Sequence, residues 1–443
     1  MLLRFKISNF LSFSEEVEFN MFPANFKIHK SHVYQTESGV DLLKAAAIYG
    51  ANGSGKSNFI EAVEFFRDVI LNEETTAMTH PYFKLDEKYT DLPTKFEVEI
   101  EVNNRCLIYG ISLKDDYIFE EWLHESLISK DEIEVIFERK SEKGKPKISI
   151  HPKYLKSEKT KLRFEIYEED LENDGLFLSK ANNHIEEAHI VLNWFMSSLL
   201  VIKPDTTYSL AKRLYDERGF ADQVNEILKH INLGMVKIGI KRTDINDFFG
   251  ENEEDEIQKL RLKKDLKKEK SSLFYYDGEL YVAVKENRKI FIESIISYNQ
   301  GKNDILVEFN LAEQSDGSKR ILDLIPIINW LVAEDITIFI DEIDRSLHPK
   351  MAIEFIKFVM FQKTKGQLIF TTHESHLLDL EIFRQDEIWF TEKNKEGSTK
   401  MYPLSDFKPR YDLDIQKGYF AGRFGAIPFL GNLNELMPLH EVK

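Results

Sequence analysis

The chain has 443 residues, 42% hydrophobic and 30% charged, the composition of a soluble globular protein long enough for two to four domains. Asp and Glu outnumber Lys and Arg by 76 to 59, a balance that disfavours nucleic-acid binding by the surface as a whole and leaves direct DNA contact to a local basic stripe at most. A single cysteine, Cys106, excludes an internal disulfide and fits a reducing compartment. The opening MLLRFKISNFLSF carries Arg4 and Lys6 within its apolar residues, unlike a signal peptide, and no uncharged apolar run approaches the ~20 residues of a membrane span. A cytoplasmic protein without membrane contact is expected.

Leu2 to Phe19 alternates at period two over LRFKI and EEVEF and predicts two short strands. Ala45 to Tyr49 is a short apolar run that ends in a glycine-rich turn, followed by an amphipathic helix from Ser57 to about Leu71. Phe96–Val102 and Cys106–Leu113 alternate again and predict an antiparallel hairpin. From about 115 to 284 charge rises, with helical stretches such as Ala188–Leu200 and Ala221–Ile231. Residues 251–272 pass from an acidic block to a basic one, either an exposed helix with i,i+4 pairs or a loop. From 305 onward strands and helices alternate. The expected organisation is a head in two parts, 1–115 and 285–443, around a mainly helical insertion or lid, 116–284, that is a candidate for partner contacts.

Gly50-Ala-Asn52-Gly53-Ser54-Gly55-Lys56-Ser57 fits G-x-x-x-x-G-K-[ST] between a strand and a helix. Glycines permit a turn whose successive N–H groups surround a phosphate at a helix N-terminus. Lys56 would reach the β- and γ-phosphates of ATP, Ser57 would supply a hydroxyl to Mg²⁺, and Asn58 follows on the first helical turn. Ile336–Ile340 predicts a buried strand ending in Asp341-Glu342, where open α/β sheets bind ligands. Asp341 would hold Mg²⁺ and Glu342 would polarise the attacking water. Asp344 is expected to be a turn or helix-start residue in preference to a ligand.

Ser315-Asp316-Gly317-Ser318 precedes a helical run with Ile321, Leu324, Ile325 and Ile328 on one face, about 25 residues before Asp341. Its order and shape resemble the signature motif of ABC ATPases, which presents a Ser hydroxyl, a Gly N–H and a helix N-terminus to the γ-phosphate held by the opposite subunit. Arg345 to Pro349 stands where those proteins have the D-loop, and Leu368–His373 is a second apolar strand ending in a histidine, where they keep a switch His.

The whole set, GANGSGKS (50–57), EQSDGSKR (313–320), IDEIDRSLHP (340–349), FTTHESHLLD (370–379), RQDEIWFTEK (384–393) and GYFAGRFGAIPFL (418–430), resembles the stand-alone ABC-class ATPases of bacterial phage-defence and abortive-infection loci, the AbiL/RloA type, to which the PARIS-system ATPase AriA is similar. ISNFLSF (7–13) also looks like the opening of RecF and SMC heads. The resemblance implies an α/β P-loop fold of ABC/RecF-head type, with a mixed central sheet, an antiparallel β subdomain and a mostly helical α+β insertion. It also implies a slow, regulatory ATPase that assembles head to head with itself and controls a co-encoded effector of Toprim-nuclease type in response to a phage-encoded trigger. A RecF/SMC-like repair ATPase acting on DNA ends is the alternative, weakened by the acidic charge and the absence of a long heptad repeat. Two departures stand out: no glutamine lies between Ser57 and Ile100 to serve as a Q-loop ligand, and His348 replaces the D-loop Asp. Arg423 is an interface or nucleotide contact or a structural ion pair, and Phe10 and Phe13 could stack on a base. His184, His189 and His376 lack metal-ligand spacing.

Overall fold

A computed structural model describes all residues except 73–80, 116, 128–131, 143, 205–218, 231–233, 268, 278, 363, 412 and 428–443. Strands β1 (Leu2–Ser8) and β2 (Val17–Asn20) precede a two-stranded ribbon, β3 (Val33–Gln35) and β4 (Asp41–Leu43), then β5 (Ala45–Gly50) and helix α1 (Lys56–Asn72). Five strands follow: β6 (Thr94–Val102), β7 (Arg105–Lys114), β8 (Tyr117–Leu127), β9 (Glu132–Glu142) and β10 (Lys145–Ile150). Helices α2 (Glu158–Glu169), α3 (Phe177–Ala181) and α4 (Glu186–Asn193) lead to β11 (Leu199–Ile202). Next come α5 (Phe220–His230), β12 (Met235–Asp244), α6 (Ile245–Phe248), α7 (Glu253–Asp265), β13 (Ser271–Tyr276), β14 (Glu279–Glu286), β15 (Lys289–Gln300), β16 (Leu306–Asn310) and α8 (Asp316–Ala333). The last elements are β17 (Thr337–Ile340), α9 (Pro349–Phe361), β18 (Gln367–Thr371), β19 (Ile388–Lys393), β20 (Thr399–Pro403) and α10 (Ile415–Phe420).

The chain divides into two compact units, one of Met1–Pro204, Trp330–Asp344 and Pro349–Lys443, the other of Asp205–Asn329 and Arg345–His348. The first holds a six-stranded sheet in the order β11-β17-β18-β5-β19-β20, parallel except for β20. Strands β5, β17 and β18 are buried at every residue, as a parallel sheet covered on both faces requires. A seven-stranded antiparallel sheet runs β10-β9-β8-β7-β6-β1-β2. Helix α1 fills the space between the two: Phe59 meets Phe5 of β1 at 5.8 Å and Phe339 of β17 at 6.2 Å, and Phe66 stacks on Phe96 of β6 at 5.4 Å. Each such ring, fully buried, contributes roughly 1.5–3 kcal/mol. The result is the α/β P-loop fold of an ABC-type ATPase head with its antiparallel β subdomain.

The insertion differs from expectation in content and in boundary. Residues 117–150, expected to be mostly helical, form β8, β9 and β10, hydrogen-bonded in succession onto β7. Charges such as Glu120, Glu138 and Lys140 lie on the open face of an antiparallel sheet, which tolerates polar residues at every second position, while Glu121, Glu125 and Arg139 are buried. The stretch Ala188–Leu200, expected to be helical throughout, leaves helix after Ser198, and Leu199–Ile202 becomes the edge strand that pairs in parallel with β17. The chain therefore divides near 204 and 329, not at 115 and 284.

Arg105 secures α4 to the antiparallel sheet. Its guanidinium grips Glu125 of β8 at 2.7 and 2.6 Å and Glu187 of α4 at 2.5 Å. Glu187 is buried and its carboxyl sits low, at about 2: burial opposes ionisation, and the nearby Tyr154 hydroxyl together with the hydrogen bond and charge of Arg105 overcomes it. Arg105→Ala removes the nearer of the two cations at Glu187, leaving Lys153 at 3.3 Å, together with the paired contact to Glu125, and is expected to cost about 2–4 kcal/mol, read from urea unfolding. Because the folded pKa lies below the ordinary 4.5, the contribution is complete above 4.5 and disappears as pH falls toward 2. A variant as stable as wild type at neutral pH would rule the clamp out.

The second unit contains a sheet in the order β12-β15-β14-β13, with β16 also paired to β15. Helix α7 lies on one of its faces, where Leu262 and Leu266 pack with Phe249, Phe274, Ala283 and Ile292. Residues 253–265 thus resolve as a helix whose Asp255, Lys259 and Leu262 are buried, not as a loop. Helix α5 covers most of Ala221–Ile231; Ile231 lies outside the described residues.

Candidate functional site

A cavity of about 740 Å³ in the first unit is lined by Asn52, Gly53, Gly55, Lys56, Ser57, Asn58, Glu342, His373 and Lys393. Three adjacent strands deliver these groups: β5 leads into the glycine turn, β17 into Glu342 and β18 into His373. Gly53 at φ 74° and Gly55 at φ 110° take the left-handed conformation that the turn requires before α1 begins at Lys56. Behind the turn, Ser54 shares a hydroxyl contact of 2.6 Å with Thr391 of β19, and the Thr399 hydroxyl of β20 donates to the Ser54 carbonyl at 2.8 Å. The Ser54 side chain is thereby committed to the wall, and neither it nor Gly50 lines the cavity. Asn58 lines it while donating to the Ser12 hydroxyl at 2.8 Å.

Lys56 Nζ donates to the carbonyls of Gly50 and Ala51 at 2.8 and 3.2 Å. Burial holds its pKa down at about 8, against the pull of Asp341, Glu342 and Asp344. His373 is also lowered, by desolvation and by the Lys56 charge, so its imidazole is neutral at pH 7. Asp341 is buried; Thr371 donates its hydroxyl to Asp341 Oδ1 at 2.5 Å and accepts the Glu342 N–H at 2.8 Å. Glu342 itself sits at φ 48°, a left-handed conformation rare for a side-chain-bearing residue and costing on the order of 1–3 kcal/mol. One hydroxyl thus holds the Asp341 carboxylate and the Glu342 backbone N–H, at a kink from which Glu342 reaches the cavity. Asp344, expected to serve as a turn or helix-start residue, has a buried Oδ1 without a hydrogen-bond partner and contributes to the field at Lys56 and His373.

A triphosphate and a divalent cation fit this donor set. A helix N-terminus with a glycine cradle and a lysine meets phosphate chemistry, while the Ser57 hydroxyl in the lining and the Asp341 and Asp344 carboxylates, which do not line the cavity, are oxygens of the kind a hard cation takes. Ser57 and Asp341 would hold Mg²⁺, which when bound neutralises charge on the β- and γ-phosphates. Glu342 and His373 both line the cavity, where a carboxylate could orient water and an imidazole N–H could donate to a phosphate oxygen.

The remaining expected residues lie elsewhere. Ser315, Gly317 and Ser318 belong to the second unit, at the start of α8, where Ser315 Oγ accepts the Ser318 N–H at 3.2 Å and contacts the Ser318 hydroxyl at 3.0 Å. A Cβ on Gly317 would stand 2.8 Å from the Ser346 carbonyl, so glycine is required there. Phe10 and Phe13 are fully buried, Phe10 against Phe65 and Phe96 at 5.3 and 5.2 Å, so they form core and cannot stack on a base. Arg423 is exposed and makes no ion pair among the described residues. His376, His184 and His189 contact Glu374, Arg163 and Asn193, and no metal-holding group of side chains occurs among the described residues. Two features escaped the sequence: Lys393, an exposed cation at the end of β19 facing the cavity, and the hydroxyl brace of Thr371, Thr391 and Thr399. No local pattern points to them, because their roles follow from which strands lie beside β5 and β19.

RQDE (384–387) is architectural. Arg384 is buried, bonds Asp386 at 2.8 and 2.7 Å and the carbonyls of Ile28 and Ala24, while Glu387 holds buried His32 at 3.0 Å. The motif fastens residues 24–32 to the start of β19.

No helix among the described residues is long and apolar enough to cross a membrane. Three solved structures are similar. The SMC head bound to the C-winged helix domain of ScpA shares 13% identity over 92% of this chain and 99% of its own, with a TM-score of 0.41. The SMC head domain from Thermotoga maritima shares 11% over 91% and 98%, with a TM-score of 0.38. The Smc head domain with an extended coiled coil, bound to the C-terminal domain of ScpA derived from Pyrococcus furiosus, shares 12% over 92% and 97%, with a TM-score of 0.37. No curated protein matches the sequence. The family described as "AAA domain, putative AbiEii toxin, Type IV TA system" matches residues 45–379, three quarters of the chain, from the P-loop strand to beyond His373, and the chain belongs to it.

Proposed function

We propose that this protein binds and hydrolyses ATP at composite sites formed by two copies, and that the ATP-closed assembly restrains or releases a partner effector in abortive infection. The observation that carries the catalytic part is the meeting of Lys56 and Ser57 with Glu342 and His373 in one cavity. A binding-only P-loop has no need of a strained carboxylate and a neutral imidazole beside the phosphate cradle. The Ser315–Ser318 turn presents a second helix N-terminus, and in the proposed assembly it faces the γ-phosphate bound by the other copy. The family's toxin–antitoxin description and the resemblance to phage-defence ATPases support a regulatory role, with a Toprim-type nuclease as effector and a phage protein as trigger.

Complementation in trans tests the composite site. Lys56→Ala disables the cradle and Ser315→Arg disables the facing turn, so each variant alone should lack ATPase activity. A mixed dimer contains one site built from the intact halves, so an equimolar mixture should recover roughly a quarter of wild-type activity in a phosphate-release assay if subunits pair at random. If the mixture stayed as inactive as its components, or if Ser315→Arg alone kept full activity, the composite site would be wrong.

A further inference from the structure

The second unit carries a groove of its own, remote in chemistry from phosphate transfer. A cavity of about 360 Å³ separates Gln258, Arg261 and Asp265 on α7 from the consecutive residues Ser272–Tyr275 on β13. Four residues in a row can line a cavity only where it runs along a strand's edge, because the side chains of a strand alternate between faces. β13 is the terminal strand of its sheet, and no strand pairs with its outer side among the described residues.

The register identifies which backbone groups are free there. The Lys285 N–H donates to the Lys270 carbonyl at 3.0 Å, and the β13–β14 register continues from Ser271↔Val284. Antiparallel pairs alternate between bonded and non-bonded, so Ser271, Leu273 and Tyr275 direct their N–H and C=O groups away from β14. Natural sheets usually protect such an edge with a proline, a bulge or an inward charge. Here the outward-bonding positions instead bear two large exposed apolar side chains, Leu273 at 44% and Tyr275 at 62%.

The charge around this edge runs against that of the chain. Residues 261–270 hold six cations and two carboxylates in a protein of net charge −17. Arg261, Lys263, Lys264, Lys267 and Lys270 are exposed, and Arg261 makes no ion pair among the described residues. We propose that the α7–β13 groove binds an extended acidic segment of a partner protein, which joins the sheet as an additional strand outside β13. Main-chain bonds at Ser271, Leu273 and Tyr275 would supply the pairing. Side chains of the guest alternate: those on the α7 side meet Arg261 and Gln258, with Asp265 the one carboxylate in the lining and the exposed lysines nearby in sequence adding positive charge, and those on the opposite side meet Leu273 and Tyr275. The recognised pattern is therefore alternating carboxylate and apolar residues. Neither the groove nor its pairing geometry requires nucleotide, so this inference is separate from the ATPase reading.

The full-length chain, titrated against a short fluorescein-labelled peptide of alternating glutamate and valine, gives the test by fluorescence anisotropy. Saturable binding is expected, and an alternating lysine–valine peptide should bind at least about tenfold more weakly. Leu273→Pro removes an N–H that no ladder bond uses, so the fold should survive while the guest loses a donor; Arg261→Glu reverses the rim charge without touching the backbone. Each should weaken peptide binding about tenfold or more, with circular dichroism and ATPase activity unchanged. Should Leu273→Pro fail to fold, Arg261→Glu decides alone. Absence of saturable binding, equal affinity for the lysine peptide, indifference to Arg261→Glu, or preference for oligothymidylate over the peptide would each overturn the proposal.

Discussion

Glu342→Gln should retain ATP binding, lose hydrolysis by about three orders of magnitude and accumulate as an ATP-dependent dimer. The expectation follows from how the carboxylate is held. Its backbone is fixed at φ 48° by the Thr371 hydroxyl, which also engages Asp341, and glutamine has nearly the same volume and can occupy the same kink. Substitution therefore removes the ability to polarise water and leaves the cradle, the cation ligands and the fold intact. Stability should change by less than about 0.5 kcal/mol, because the strain and the anchor are both kept. Single-turnover phosphate release, nucleotide titration and sedimentation with and without ATP provide the three readouts. Hydrolysis at the wild-type rate would remove Glu342 from the catalytic role, whereas loss of nucleotide binding would show that its charge serves ground-state binding instead. Thr371→Val should produce a milder form of the same defect, since it frees the Asp341 carboxylate and the Glu342 backbone from a common brace.

The parts of the head legible in the sequence are those where local pattern and tertiary environment impose the same rule. β5, β17 and β18 are apolar at nearly every residue because a parallel sheet covered on both faces allows nothing else, and each ends where the cavity begins. The strands β8 to β10 were obscured for the converse reason. Residues such as Glu120, Glu138 and Lys140 face outward, so their composition looks like that of a solvated helix although a period of two runs underneath. Leu199–Ile202 follows a helix with only Ser197 and Ser198 to mark the change, and parallel pairing with β17, far away in sequence, makes it a strand. Lys393 and the threonine brace carried no local signal at all, because their meaning comes from which strand lies beside β5. Phe10 and Phe13 show the same limit: the local sequence does not separate a ring that could stack on a base from one in the core, and the bridged turn that joins them buries both.

Lys56→Ala is the second large effect, and its sign depends on whether nucleotide is present. With ATP, the variant loses the ammonium that would contact the β- and γ-phosphates, and affinity should fall at least about 100-fold, or roughly 3 kcal/mol, as for a lost pair of charge-assisted hydrogen bonds. Without ATP, the same ammonium is a burden on the folded state. Its folded pKa of about 8 lies below the ordinary 10.5, so between those values the unfolded chain binds more protons and apo stability should rise with pH. Alanine removes that titration, and the apo variant should be no less stable than wild type at pH 7 even though the carbonyls of Gly50 and Ala51 lose their donor. Thermal unfolding separates the two contributions: wild type should gain about 2.7 kcal/mol at an ATP concentration one hundred times its Kd, and the variant close to nothing at that concentration. If Lys56→Ala kept the full ATP-induced stabilisation, Lys56 would have no part in holding phosphate, and the glycine turn would be an architectural bend between β5 and α1 with no ligand to serve.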